Sequence, residues 1–212
     1  MSLKTLLGAA ALAATAGLGL MAAPVLAQTA APAAEAAVEV KEITMGNPDA
    51  PVKMTEYASY TCPHCASFHT NVFKELKRDY IDTGKVFFTY REVYFDRRGM
   101  WAAMLARCGG DMRYFGIQDV LYSTQADWGR KPSDMEAYEA LRKIGLTAGI
   151  SNEQMDVCFK DAPMFAAMEA KFRADTAADG VESTPTLMID GKKHSNMSFA
   201  DLSKILDKEL AE

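Results

Sequence analysis

From Met100 to about Ala178 the sequence offers no convincing strand, yet strand patterns stand on both sides of that stretch. Any sheet this chain forms must therefore join segments separated by about 80 residues of helix. Upstream, Val38 to Thr44 alternates and predicts a first strand, Gly46-Asn47-Pro48-Asp49 carries turn chemistry, and Val52 to Tyr57 predicts a second strand. A helix follows with Phe68, Val72, Phe73, Leu76 and Tyr80 on one face, and it stops at Asp82-Thr83-Gly84. Val86 to Tyr94 is again β-rich, so the opening is a βαβ unit. The helical run has expected breaks at Gly109-Gly110, from Gly129 to Pro132, and around Gly145 to Ser151, where Ser151 and Gln154 make a capping box. After Gly180 the β pattern returns at Thr186 to Ile189, Asp190-Gly191 is a hairpin turn pair, and Ser198 caps a last amphipathic helix carrying Leu202, Ile205, Leu206 and Leu210. There is no internal repeat.

Between the second strand and the first helix lies Cys62-Pro63-His64-Cys65. Two thiols three positions apart can close a small disulfide ring, and Pro63 suits the first helical position, where its missing N–H costs nothing. A helix N-terminus and a nearby imidazolium both favour the thiolate, the reactive form, which points to an acidified, exposed Cys62. Spacing alone also fits a structural disulfide or half of a metal site. A closed zinc site needs four converging ligands, and no second cluster has suitable spacing to complete Cys62, His64 and Cys65.

Residues 1–27 read as an export signal, with Lys4 at the start, an Ala/Leu-rich run to Met21, and Val25-Leu26-Ala27 as a cleavage site; an uncleaved anchor is the competing reading. Residues 28–37 suit a flexible leader. Removing residues 1–27 takes away one Lys and no acid, moving the formal charge from −5 to −6, which argues against a nucleic-acid partner. Export also means that cysteines can hold lasting disulfides.

With these parts in this order, and with Ser183-Thr184-Pro185-Thr186 leading into the returning hairpin, the chain resembles the DsbA-type thiol:disulfide oxidoreductases of the thioredoxin-like superfamily. The resemblance implies an α/β thioredoxin-like fold with an inserted all-helical domain: residues 38–97 and 179–212 as the thioredoxin-like part, 98–178 as the insertion. It implies a dithiol oxidase with no cofactor, in which a substrate thiolate attacks Cys62, Cys65 is released and stays buried and protonated, and His64 acidifies Cys62. Pro185 falls where the superfamily places a cis proline facing the disulfide, leaving the Thr184 backbone to pair with substrate. Thr184 itself departs from the Val usual in the oxidases and resembles isomerase relatives. The implied partners are reduced or newly exported proteins and a DsbB-like membrane quinone reductase, in the periplasm. Residues 28–37 are too few for the dimerisation domain of the dimeric isomerases, so a monomer is expected.

Glu56, six residues before Cys62, falls where the family has a buried acid that exchanges a proton with the second cysteine; a solvated strand residue is the equal alternative. His69 falls where relatives often carry another acid and is expected on the helix surface, and His194 in the hairpin. Cys108 and Cys158 lie in separate helices. A structural bridge between them is favoured over two buried thiols, and would close a loop of about 50 residues, contributing roughly 4 kcal/mol in the chain-entropy model.

Overall fold

The computed structural model describes residues 38–212; the expectations for residues 1–27 and 28–37 lie outside them. Five strands form one sheet: β1 (Ile43–Met45), β2 (Val52–Ala58), β3 (Val86–Glu92), β4 (Thr186–Ile189) and β5 (Lys192–Ser195), in spatial order β1-β3-β2-β4-β5. β2 is central, running parallel to β3 with Val52 opposite Val86 and Ala58 opposite Glu92, and antiparallel to β4 with Met54 opposite Ile189. The parallel pair requires a crossover, supplied by helix α1 over residues 63–81. The β4–β5 turn is made by Asp190 and Gly191 at φ of 43° and 77°, the left-handed values that this hairpin geometry demands.

The first strand is shorter than the alternation predicts. Regular pairing with β3 covers only Ile43 to Met45; just before it, the Lys41 carbonyl accepts from the Arg107 guanidinium instead of a strand neighbour.

Between β3 and β4 come α2 (Arg97–Cys108), α3 (Asp111–Ser123), α4 (Gln125–Gly129), α5 (Asp134–Thr147), α6 (Asn152–Phe159) and α7 (Ala162–Ala178); α8 (Phe199–Glu209) ends the fold. Asp96 caps α2 by accepting from the Gly99 N–H, and both Ser133–Glu136 and Ser151–Gln154 close capping boxes. The break expected around Gly145 to Ser151 falls at 148–151, after α5 ends at Thr147, so Gly145 itself stays helical. It lies buried within α5, where a Cβ would run into the Met155 sulfur and Leu105, so the glycine is there to let α5, α2 and α6 approach.

One hydrophobic core runs through sheet and helices alike, joining Val52, Met54 and Phe88 to Leu105, Leu121 and Trp128. All five apolar positions of the α1 face are buried. That helix passes through two π-helical turns, His69–Phe73 and Lys77–Ile81, which let the adjacent Val72 and Phe73 both reach the core.

Candidate active site

Strand β2 delivers the chain to the start of α1. Cys62 is the N-cap residue, in extended conformation, and Pro63 opens the helix. Cys62 keeps only 9% of its surface, so it is buried where the sequence reading expects it exposed, and Cys65, one turn further in, keeps 0%. Both are free thiols. The Thr184-Pro185 bond is cis, and Cys62 Sγ lies 3.5 Å from the Thr184 carbonyl oxygen. Residues 122 apart in sequence thus meet at one sulfur.

The two thiols are electrostatically unequal. A hydrogen bond from the Cys65 thiol, followed by the Thr184 side chain and the backbone N–H groups of Cys65 and His64, outweighs partial burial and lowers the Cys62 pKa from 9.0 to about 5. Burial, then the neighbouring Cys62 and the negative charge of Glu56, push Cys65 far above the ordinary thiol range. At pH 7 a group of pKa about 5 is about 99% ionised. One sulfur is a standing thiolate and the other a standing thiol. The His64 side chain is exposed, and its backbone N–H is what acts on Cys62.

Glu56 is fully buried. The alternation of β2 places it on the same face as Val52 and Met54, which points it under α1 rather than into solvent. Its Oε2 lies 3.0 Å from His69 Nε2, while Oε1 has no hydrogen-bond partner. His69 is correspondingly a correction to the sequence reading: it is 3% exposed, not a surface residue. The reason is its place on the helix, four residues after Cys65 and four before Phe73, within the buried stripe. Its ring stacks on Tyr122 with centroids 4.2 Å apart. His194 lies in β5, as expected of a hairpin residue.

Three groups outside the sequence reading hold the loop before Cys62. Gln125, at the start of α4, donates from Nε2 to the carbonyls of Tyr60 (2.8 Å) and Cys62 (2.9 Å). Thr61 donates to Asp96, the cap of α2, at 2.6 Å. Tyr60 donates to Tyr114, which donates to Glu92, itself clamped by Arg107. The helical segment therefore grips the active-site loop from three directions. A glutamine opening a short helix carries no sequence pattern that marks it, so Gln125 could not have been found before the fold.

Cys108 and Cys158 form a disulfide that ties the end of α2 to α6 across Cα atoms 5.9 Å apart. Among the described residues no group of three or more His, Cys, Asp or Glu side chains is placed to hold a metal ion.

Residues 38–208 match the sequence profile of the family described as Thioredoxin. The chain belongs to that family. Within it the resemblance is to DsbA-type thiol:disulfide oxidoreductases. A Rickettsia bellii relative named as a protein-disulfide oxidoreductase is 32% identical over 177 residues, covering 82% of this chain and 67% of its own. Two further rickettsial relatives are covered over 63% and 62% of their length, so the match spans less than two thirds of those relatives. Disulfide bond formation protein D of Bacillus subtilis is 26% identical, with 78% of this chain and 76% of that protein covered. Among solved structures, alpha-DsbA1 of Wolbachia pipientis superposes with a TM-score of 0.75 at 28% identity, over 80% of this chain and 91% of the other. These place the thioredoxin-family chain on the DsbA-type branch, an α/β sheet interrupted by a helical segment.

Proposed function

We propose that this thioredoxin-family chain is an exported dithiol oxidase that donates a Cys62–Cys65 disulfide to reduced, newly translocated proteins. The observation that carries the reading is the inequality of the two thiols: Cys62 lowered to about 5, Cys65 raised and sealed. A low-pKa thiol is a good leaving group, and its thiolate stabilises the reduced state, which makes the corresponding disulfide readily reduced.

A substrate thiolate attacks Cys62 Sγ of the oxidised ring; the Cys62–Cys65 bond breaks, and Cys65 leaves as a thiolate and is protonated. A second substrate thiolate attacks the substrate sulfur of the mixed disulfide, Cys62 departs as a thiolate, and the substrate carries away the new bond. The resulting dithiol is reoxidised by a DsbB-like membrane quinone reductase in the periplasm. Pro185 and the Thr184 backbone face Cys62 at the place where an extended substrate would lie, and Glu56 serves Cys65 as proton acceptor and donor. Pro63 and the backbone N–H of His64 prepare the Cys62 thiolate. The chain works as a monomer, residues 1–27 acting as a cleaved signal.

Thr184 favours a second reading, a disulfide isomerase of the same fold. One comparison separates them: purified protein is given a reduced model substrate and, separately, a scrambled one, with Cys62→Ser as control. Rapid oxidation with little rescue is expected. Efficient rescue of the scrambled substrate would replace oxidase by isomerase, and activity independent of Cys62 would remove both.

A further inference from the structure

A cavity of about 310 Å³ is walled by His69, Met45, Phe73, Phe115, Gln118 and surface residues. Lys74 and Asp119, 3.6 Å apart and both largely exposed, stand at its mouth. The same imidazole that closes on Glu56 with Nε2 is thus part of a wall that solvent can reach. Glu56 Oε1 is buried without a hydrogen-bond partner, and the Glu56 charge acts on Cys65 through space. A buried carboxylate oxygen without a partner costs free energy, so its persistence calls for a use.

We infer that His69 is a positioning and proton-passing residue that connects the buried Glu56–Cys65 pair to solvent through this cavity. The inference rests on the thiol-exchange reading above and adds to it the path of the proton. During reoxidation Cys65 gives its proton to Glu56, and the Cys65 thiolate attacks Cys62 Sγ in the mixed disulfide with the oxidant. The Cys62–Cys65 bond forms, the bond to the oxidant's sulfur breaks, and that sulfur leaves as a thiolate. Glu56 returns to the carboxylate by passing its proton to His69 Nε2, and His69 releases the proton on Nδ1 to water in the cavity. When substrate is oxidised the path runs backwards: Cys65 is expelled as a thiolate, His69 protonates the Glu56 carboxylate from Nε2 and takes a proton from water on Nδ1, and Glu56 passes its proton to Cys65 and returns to the carboxylate. The two half-reactions use opposite tautomers, so a full cycle restores the ring.

The surroundings suit this. An imidazole is the side chain best fitted to pass protons near neutral pH. His69 is held flat against Tyr122 and edge-on to Tyr90, whose phenols are kept neutral by burial, so neither competes for the proton. Lys74, Lys77 and Asp119 are the charged groups facing the cavity from α1 and α3, and Glu56 is the one facing the ring from β2.

The test follows the full chain, in the dithiol form, reacting with oxidised glutathione. Acid quenching separates the first step, formation of the Cys62 mixed disulfide, from the second, ring closure by Cys65. His69→Ala is expected to leave the first step within about two-fold and to slow closure about 100-fold near neutral pH. The deficit should shrink as pH rises and hydroxide takes the Cys65 proton directly. Added imidazole, entering the enlarged cavity, should restore closure, while pyrazole, of the same shape but far weaker as a base, should not. His69→Gln is the second variant: it can still hydrogen-bond Glu56 but cannot pass a proton, and is expected to close slowly with no response to imidazole. Closure at the wild-type rate in His69→Gln, a deficit equal at all pH values, or rescue by pyrazole as good as by imidazole would overturn the inference. Failure of the wild-type protein to form or close the mixed disulfide would instead remove the exchange reading on which it stands.

Discussion

The chain holds two pairs of cysteines, and they differ in nearly every property that decides what a sulfur does. Cys62 and Cys65 are three residues apart at a helix start, one touching solvent and one sealed, with pKa values driven in opposite directions. Cys108 and Cys158 are 50 residues apart, both half-buried, and joined to each other. Neither member of the second pair opens a helix: Cys108 is the last residue of α2 and Cys158 lies at the end of α6. The difference teaches that local fields and helix position, not the presence of two neighbouring thiols, separate an exchanging pair from a tie between helices.

The largest expected effect breaks that contrast by substitution. Cys62→Ser should abolish disulfide exchange, whereas the double variant Cys108→Ala with Cys158→Ala should keep it, as followed by oxidation of a reduced model protein. Loss of exchange in the double variant would mean that the second pair takes part in chemistry. The same double variant should lose roughly 2–5 kcal/mol of unfolding free energy in denaturant titration, because the loop it releases is long.

Next in size, the loop before Cys62 can be loosened without touching a sulfur. Gln125→Ala leaves the Tyr60 carbonyl without its Gln125 partner and the Cys62 carbonyl with only the Ala66 N–H, at a cost of about 1–3 kcal/mol. Exchange should slow while the Cys108–Cys158 tie is unaffected, which stopped-flow kinetics and thiol counting would show.

The last effect is a pH signature that only the Cys62–Cys65 pair can have. Cys62, lowered to about 5, makes the folded dithiol form gain stability as pH rises from about 5 to the ordinary thiol value of 9.0, because the unfolded chain holds the extra proton over that window. Cys65, raised, reverses the sign above 9.0, where the unfolded thiol ionises and the folded one does not. Stability of the dithiol form should therefore peak near pH 9, lose the Cys62 contribution entirely below pH 5, and differ from the Cys62–Cys65 disulfide form accordingly. Alkylation of Cys62 should show a midpoint near 5. A midpoint near 9 would erase the electrostatic contrast between the two pairs.

Much of this was legible before the fold. The strand-free stretch implied a sheet interrupted by helices, the alternation and caps located β2, β3, α6 and α8 closely, and Cys62-Pro63-His64-Cys65 stood at the strand-to-helix junction. Local periodicity carries that information because side-chain direction within one element depends only on position along it. The same rule could have settled two residues that the sequence reading left open or misplaced: Glu56 shares a face with Val52 and Met54, and His69 shares the Cys65 to Phe73 stripe.

Other features depend on which elements meet, and no residue carries that in its own neighbourhood. Gly145 reads as a breaker until Met155 and Leu105 occupy the space a side chain would need. The Lys41 carbonyl, just ahead of β1, bonds Arg107 from a distant helix rather than a strand neighbour. Gln125 at the Cys62 carbonyl, Thr184 against its sulfur, and Glu56 with one oxygen on His69 and the other unsatisfied all join residues far apart in sequence. The sequence by itself determined that the Cys62–Cys65 pair stands at a strand-to-helix junction and that Pro63 opens the helix there. Tertiary structure decided the burial of Cys65 and added Thr184 to the local hydrogen bonds from Cys65 and His64 that lower the Cys62 pKa, because desolvation and such contacts act through space on groups the chain order keeps apart.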